Sequence, residues 1–175
     1  SMIKIGEHVY YYTQLFVKPI YIIICIVIFM TVAMVNLCIM HNDFKRGITW
    51  ACMYTYIAFL LFSLVFNREK SGLYKCNLQL FWSYKEIIKK KNYTLLVEDF
   101  LNLMMLSPVS IMIQYLKKQY SIVKITFLTC LISLFIESLQ FITGTGLFEL
   151  DDLFNNTFGA YIAVFIWKNV KNKVN

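Results

Sequence analysis

The sequence predicts an all-α integral membrane protein, and three features indicate that class. The 175 residues are 59% hydrophobic and 15% charged, whereas about 25% of residues are charged in a typical soluble domain. Several apolar runs reach the roughly 20 residues that a helix needs to cross a bilayer. Six Gly and two Pro are too few for long flexible linkers between domains. We therefore expect a single membrane domain over residues 2–175, with Ser1 ahead of Met2 regarded as a cloning remnant.

Apolar runs predict about five transmembrane helices. In chain order they cover residues 20–40, 48–66, 96–116, 122–142 and 153–167. An odd number of crossings places the two termini on opposite sides of the membrane. The loops at 67–95 and 143–152 then lie on the side of the N-terminus, and the C-terminus lies on the other side.

The distribution of basic residues predicts the orientation of these helices. Of the 17 Lys and Arg residues, nine fall on the side of the N-terminus and eight on the side of the C-terminus. The eight lie in short connections beside helix ends, where positive charge most strongly favours the cytoplasm. We therefore expect a cytoplasmic C-terminus and extracellular loops at 67–95 and 143–152.

The long loop between the second and third spans contains a predicted amphipathic helix. Apolar residues recur at helical spacing from Leu80 to Ile88, while Lys85, Lys89 and Lys90 fall on the opposite side. Such a helix is typical of a segment that lies at the membrane interface on anionic lipid. A lid that closes over a ligand is the less favoured alternative.

Composition and spacing exclude several other classes of protein. The net charge of +7 does not indicate nucleic-acid binding, because the basic residues lie between apolar segments. Five cysteines without a CxxC pair indicate neither a disulfide framework nor a zinc site, and His8 and His41 have no partner at ligand spacing. We predict no cofactor. Oxygen ligands could hold a hard divalent cation, but no motif supports one.

Polar residues inside the apolar runs are the main functional signal, because a charge in the bilayer core costs about 3 kcal/mol. They lie at the start of the third run, the end of the fourth and the start of the fifth: Asp99 and Asn102; Glu137 and Gln140; Asp151, Asp152 and Asn156. Since consecutive spans alternate in direction, these three positions share one membrane depth. We expect the side chains to converge on a polar vestibule that opens to the outer side.

Structural roles compete with ligand binding at each of these positions. Acids at a helix start, such as Asp99, Asp151 and Asp152, can cap the free backbone N–H groups. Glu137 lies inside its helix on the same face as Gln140, so two roles stay open for this pair: ligand binding, or hydrogen bonds that hold the helices together. Pro108, inside the third run, predicts a kink.

The order of the polar motifs resembles the VanZ-like family, named for a teicoplanin-resistance protein of Gram-positive bacteria. The resemblance covers about residues 50–168. The matching landmarks, in order, are Arg68, Asn77 to Phe81, Asn102 to Ser110 with Pro108, Glu137 with Gln140, and Glu149 to Asp152 followed by Asn156, Thr157 and Gly159. Four positions depart from the family pattern: Leu80 for Pro, Leu106 for Phe, Ser110 for Gly, and Thr145 for Arg.

The resemblance implies a bacterial cell-envelope protein linked to teicoplanin-type antibiotic resistance, and it adds Arg68 to the candidate ligand-binding residues. It does not supply a reaction. Three functions therefore stay open. The favoured one is binding of a lipid headgroup, a cell-wall precursor or a lipoglycopeptide. An intramembrane enzyme with Glu137 or Asp152 as acid or base, acting on a lipid-linked substrate, and a small transporter or flippase component are the alternatives.

Overall fold

The computed structural model describes residues 19–41, 43–68, 70 and 74–174, the side chains of 172–174 excepted. The described residues are mainly helical. They belong to two compact units, one up to residue 72 and one from residue 73 onward. The single membrane domain stays a prediction.

The first unit is a pair of packed helices. Helix α1 covers Pro19–Met34 and continues as a π-helical turn at Val35–Ile39; helix α2 covers Phe44–Leu61 and continues likewise at Phe62–Phe66. Small side chains let the two backbones approach, because Ala51 is fully buried and a Cβ on Gly47 would lie 2.7 Å from Leu37 Cδ2. Most of α1 is exposed, as expected for a helix surrounded by lipid.

The second unit contains five helices and two short strands, within the described residues. In chain order these are β1 (Cys76–Asn77), α3 (Trp82–Lys90), α4 (Tyr93–Met105), α5 (Ser107–Leu116), α6 (Ile122–Thr143), β2 (Phe148–Glu149) and α7 (Leu150–Val174). Helix α7 packs against α4, α5 and α6 and is therefore the centre of the unit.

The expected kink at Pro108 is a break between α4 and α5. Leu106 leaves the helical conformation at φ −95° and ψ 0°, and Pro108 occupies the first turn of α5, where its missing N–H is tolerated. The Ser107 hydroxyl donates to the Leu103 carbonyl at 3.2 Å and the Ser110 hydroxyl donates to the Ser107 carbonyl at 2.8 Å. Hydroxyl groups thus bond backbone carbonyls around the break.

Gly159 brings α7 against the same break. A Cβ at this position would lie 1.7 Å from the Leu103 carbonyl oxygen, which is far inside van der Waals contact. Only a residue without a side chain permits this approach, which holds the polar start of α7 beside α4.

The two strands fix which loops share one end of the second unit. They pair in parallel, with Cys76 opposite Phe148 and Asn77 opposite Glu149. The segment before α4 and the connection from α6 to α7 therefore lie together. At the far end of α7, the Lys168 ammonium donates to the Tyr120 carbonyl at 2.9 Å.

Four helical segments among the described residues are long and apolar enough to cross a membrane: Pro19–Ile39, Phe44–Phe66, Tyr93–Leu116 and Ile122–Thr143. They correspond to the first four predicted spans. Helix α7 is not one of the four, and polar residues occupy its first two turns. The amphipathic segment does form a helix, but it starts at Trp82 because Phe81 adopts a left-handed φ of 63°.

Candidate functional site

Asp151, in the first turn of α7, holds the start of α3. Its carboxylate accepts hydrogen bonds from the Phe81 backbone N–H, from the Ser83 backbone N–H at 2.9 Å and from the Ser83 hydroxyl at 2.8 Å. The first N–H groups of a helix have no partner within it, and an anion there also faces the positive end of the helix dipole. Asp151, 1% exposed, is therefore a cap for a helix about 70 residues away in sequence.

A second chain of hydrogen bonds joins α3, α7 and α4. The Tyr84 hydroxyl donates to Asn155 Oδ1, and Asn155 Nδ2 donates to Asp99 Oδ1 at 3.1 Å. Asn155 is fully buried and Asp99 is 7% exposed. The other carboxylate oxygen of Asp99, Oδ2, is buried and has no hydrogen-bond partner among the described residues.

Residues one helical turn away on α4 and α7 make a second contact nearer the surface. Asn102 Nδ2 donates to Asp152 Oδ1 at 2.7 Å, and both residues are half-buried. One side of α4 is thus joined to the first turns of α7 by two amide–carboxylate pairs.

Helix α6 ends at the same place. Glu137, 2% exposed, accepts a 3.5 Å hydrogen bond from the Glu149 backbone N–H. The Gln140 carbonyl accepts from the Thr145 and Gly146 backbone N–H groups, and Gly144 makes the turn at φ 68°. This left-handed position suits Gly, which ends the helix as a C-cap.

Asn156 joins α7 to α6 deeper in the unit. Its Nδ2 donates to the Ser133 hydroxyl at 2.9 Å, and both residues are fully buried. Asn156 Oδ1 has no partner among the described residues. Interhelical hydrogen bonds of this kind stabilise helix association within membranes.

The charges of four carboxyl groups around the start of α7 act on Glu149, and we call the five residues the acidic cluster: Glu98, Asp99, Glu149, Asp151 and Asp152. Burial, followed by the charges of the other four, raises the pKa of Glu149 from 4.5 to about 7. Burial and the charge of Asp99 also raise the pKa of the Tyr84 hydroxyl, which therefore stays a donor at neutral pH.

The structure brings α4, α6 and α7 together at the predicted residues, but it buries most of them. Of the eight candidates, five are buried: Asp99, Glu137, Gln140, Asp151 and Asn156. Asn102 and Asp152 are half-buried, as are Glu98 and Glu149 beside them. The arrangement is a buried polar network with a half-buried acidic rim. Arg68 lies in the first unit, so its part in ligand binding stays a prediction.

Sequence reasoning did not place several members of this network. In the sequence, Glu149 is a landmark of the family resemblance only, and Ser83, Tyr84, Asn155 and Ser133 are not among the candidate ligand-binding residues. The spacing of Asn155 four residues after Asp151 could have placed it on the same helix face. Among the described residues, no group of three His, Cys, Asp or Glu side chains is arranged to hold a metal ion.

Comparison with known proteins gives one finding that identifies the chain. The family model of VanZ/LLP1 matches residues 20–171. This match begins about 30 residues before the resemblance in the sequence motifs and includes the helices of the first unit. Neither a curated protein nor a solved structure matches the chain. The chain belongs to the VanZ/LLP1 family.

Proposed function

We propose that this protein is a multi-pass protein of the bacterial cell membrane that binds the polar part of an envelope molecule at its acidic rim. The candidate molecules are a lipid headgroup, a cell-wall precursor and a lipoglycopeptide. The observation that carries the proposal is that Glu98, Glu149 and Asp152 are all half-buried, and that Glu98 and Asp152 lie near enough for their charges to help raise the pKa of Glu149 to about 7.

The chemistry of the rim favours a ligand that donates hydrogen bonds. Carboxylates accept only when they are ionised, and the Asn102 amide already donates to Asp152. A hydroxyl, an amide N–H or an ammonium group would supply donors, and a positive charge would also offset the repulsion among the carboxyls. Family membership supports a membrane setting; the link to teicoplanin-type tolerance is carried over from the resemblance.

The proposal includes a particular arrangement in the membrane. Helix α7 makes the fifth crossing through its apolar part at 153–167, which places the acidic rim on the outer side. Helix α3 lies at the interface there, since Ile88 is 80% exposed beside Lys85 and Lys89. A charged rim at the headgroup level has access to the polar parts of envelope molecules.

Native mass spectrometry of the purified protein tests binding. We expect envelope lipids or precursors to remain attached to the unaltered protein, and Asp152→Asn together with Glu149→Gln to reduce their occupancy at least fivefold. The control is Glu86→Gln, which removes an acid outside the rim, in the α3 ion pair with Lys90. Equal occupancy in all three proteins would leave the rim with a structural role alone. Teicoplanin tolerance of cells with each variant then tests the physiological link.

An intramembrane enzyme is the second candidate, because a carboxyl group with a pKa of about 7 suits a general acid or base at neutral pH. Glu149 is better placed for this role than the buried Glu137. Turnover of a lipid-linked envelope substrate by purified protein, lost in Glu149→Gln while binding is kept, would favour the enzyme. Binding without turnover would favour the binding protein.

A further inference from the structure

Lysine residues gather at the end of the second unit that lies opposite the acidic cluster. They belong to the connection from α5 to α6, the first turn of α6 and the last two turns of α7, and we call them the basic end: Lys117, Lys118, Lys124, Lys168 and Lys171. The sequence has no Asp or Glu between residues 99 and 137 or after residue 152. The segments that form this end therefore carry positive charge and no acidic side chain.

Tyr120 holds lysines of two helices together. The Lys168 ammonium donates to the Tyr120 carbonyl at 2.9 Å, and the Lys124 ammonium lies 3.9 Å from the centroid of the Tyr120 ring. A cation above an aromatic face is attracted by the ring. Ammonium groups from α6 and α7 thus contact one residue, although like charges repel each other. An anion beside them would offset this repulsion.

Hydrogen bonds fix the backbone that carries Lys117 and Lys118. The side-chain amide of Gln114, a residue only 5% exposed, donates to the Lys118 carbonyl at 3.3 Å. The Tyr120 backbone N–H donates to the Lys117 carbonyl at 2.9 Å. The lysine side chains therefore start from a fixed backbone, which lowers the entropy cost of holding them around a ligand.

Helix ends and aromatic residues place the basic end at a membrane surface. The segments Tyr93–Leu116 and Ile122–Thr143 are long and apolar enough to span a membrane, and the connection between them carries Lys117 and Lys118. Trp167, next to Lys168, is half-buried. Since Trp and Tyr are enriched at the level of the lipid headgroups, the ammonium groups lie at the depth of lipid phosphates.

The lysines of α3 lie in a different electrostatic environment. Lys90 forms an ion pair with Glu86 at 2.6 Å, and the start of α3 is bonded to Asp151 of the acidic cluster. Lys168, in contrast, lies 16 residues after Asp152 in α7, which is about 24 Å at about 1.5 Å per residue. This distance exceeds the Debye length of about 8 Å at physiological ionic strength. The carboxyls therefore weaken the attraction of an anion to α3 more than to the basic end.

Anionic phospholipid is the partner that fits both the charge and the depth of the basic end. Clusters of about four to eight basic residues beside membrane-spanning helices attract anionic headgroups. A lipid is also the anion that a helix end meets at this depth without leaving the membrane. A zwitterionic headgroup has the same phosphate, but its own ammonium group cancels the charge.

We propose that the basic end binds anionic phospholipid and selects it over zwitterionic lipid by charge. The acidic rim lies at the other end of α7, so this inference is independent of the proposed function. The ammonium groups attract the headgroup, and Tyr120 keeps those of α6 and α7 at one place.

Quenching of Trp167 by brominated lipids tests the inference at the site itself. Trp50→Phe with Trp82→Phe leaves Trp167 as the single Trp of the chain. The vesicles are phosphatidylcholine with a fixed fraction of brominated phosphatidylglycerol or of brominated phosphatidylcholine with the same acyl chains. We expect the quenching to give phosphatidylglycerol at least threefold higher relative affinity. Equal affinity of the two lipids would overturn the inference.

A second measurement uses the unaltered protein. In native mass spectrometry from an equal mixture of the two unbrominated lipids, phosphatidylglycerol should be retained at least threefold more often. Raising NaCl to 1 M shortens the Debye length to about 3 Å and should remove most of this preference. A preference that resists salt would contradict selection by charge. Loss of lipid to inorganic phosphate beyond the effect of NaCl at equal ionic strength would indicate a site for the free ion instead.

Lysine variants then test whether the charge of the basic end is responsible. Lys117→Gln, Lys118→Gln and Lys124→Gln together should abolish the preference at Trp167, whereas Arg at the same three positions keeps the charge and should preserve it. Undiminished preference in the Gln variant, or its loss in both variants, would contradict an electrostatic site.

The matched control removes the same number of charges from α3. Lys85→Gln, Lys89→Gln and Lys90→Gln together should leave the preference at Trp167 unchanged. A loss equal to that of the first Gln variant would show that the net charge of the protein attracts the lipid, and the assignment to the basic end would then be wrong.

Discussion

The carboxyl group of Glu149 connects the acidic cluster to a measurable pH dependence. Its pKa is 4.5 in an unfolded chain and about 7 in the folded protein, mainly through burial and then through the four neighbouring acids. Between these values the folded state holds a proton that the unfolded state lacks. The free energy of unfolding therefore falls as the pH rises from about 4.5 to about 7 and changes no further above it.

Glu149→Gln should remove this pH dependence, because Gln is neutral at every pH. We expect a higher melting temperature than wild type at pH 8 and the same one at pH 4, measured by thermal unfolding in detergent. Glu86→Gln, which breaks the ion pair of the half-buried Glu86 with the exposed Lys90, is the control, and its melting temperature at pH 8 should equal that of wild type or lie below it. An equal difference in melting temperature between Glu149→Gln and wild type at both pH values would contradict a raised pKa of Glu149 in the folded protein.

Gly159→Ala tests the close approach of α7 to the α4–α5 break. The added Cβ would overlap the Leu103 carbonyl, so we expect a loss of about 3 kcal/mol in the free energy of unfolding despite the better helix propensity of Ala. Gly47→Ala is the matched control, since its Cβ would meet side-chain atoms, chiefly Cδ2 and Cγ of Leu37, and no backbone atom among its three nearest contacts. Equal effects of the two substitutions in detergent unfolding would contradict the contact with Leu103.

At the scale of elements, α3 depends on a side chain from α7. Lys89 and Lys90 in its last turn suit the negative end of the helix dipole. Its first turn has no side-chain cap of its own, and Asp151 supplies the acceptors. The position of this lysine-rich helix is therefore fixed by the network at the start of α7.

Asp151→Ala should release the start of α3. Loss of a cap costs about 1 kcal/mol, so we expect the α3 amides to exchange hydrogen about five to ten times faster, with α4 little changed. Asn92→Ala is the control, because Asn92 caps α4 through the Thr94 and Leu95 N–H groups. Faster exchange in α4 with α3 unchanged on Asp151→Ala would contradict the assignment.

At the scale of the whole molecule, a crossing by α7 decides whether the acidic rim and the C-terminus lie on opposite sides of the membrane. Four segments of the described chain are apolar enough to span a membrane, and α7 would add a fifth. With α7 crossing, β1 and the C-terminus lie on opposite sides.

Labelling of cysteines in intact cells tests this arrangement. In a variant that retains only Cys76, which is exposed in β1, a membrane-impermeant maleimide should react from outside. Lys171→Cys in a cysteine-free background should react only after permeabilisation. Labelling of both positions from the same side would contradict a crossing by α7, and the reverse pattern would contradict the orientation.

Local features of the sequence were sufficient to predict where most of the helices lie. The first four apolar runs, the amphipathic segment after Leu80 and the break at Pro108 all depend on length, periodicity or a missing N–H, which are properties of neighbouring residues. The sequence also predicted that the polar ends of α4, α6 and α7 lie together, because spans that alternate in direction place these ends at one membrane depth. Asn102 and Asp152 do bond there.

The tertiary structure alone decided what each polar residue does. Asp151 could cap its own helix or another one, and only the folded chain places Phe81 and Ser83 against it. Tyr84 meets Asn155, and Glu137 meets the Glu149 backbone, across intervals that no local pattern encodes. The sequence by itself determined which segments are apolar helices, because the free energy of transferring a helix into lipid is a sum over its own residues. The hydrogen-bond partners depend instead on distances in space between remote residues, and folding sets those distances.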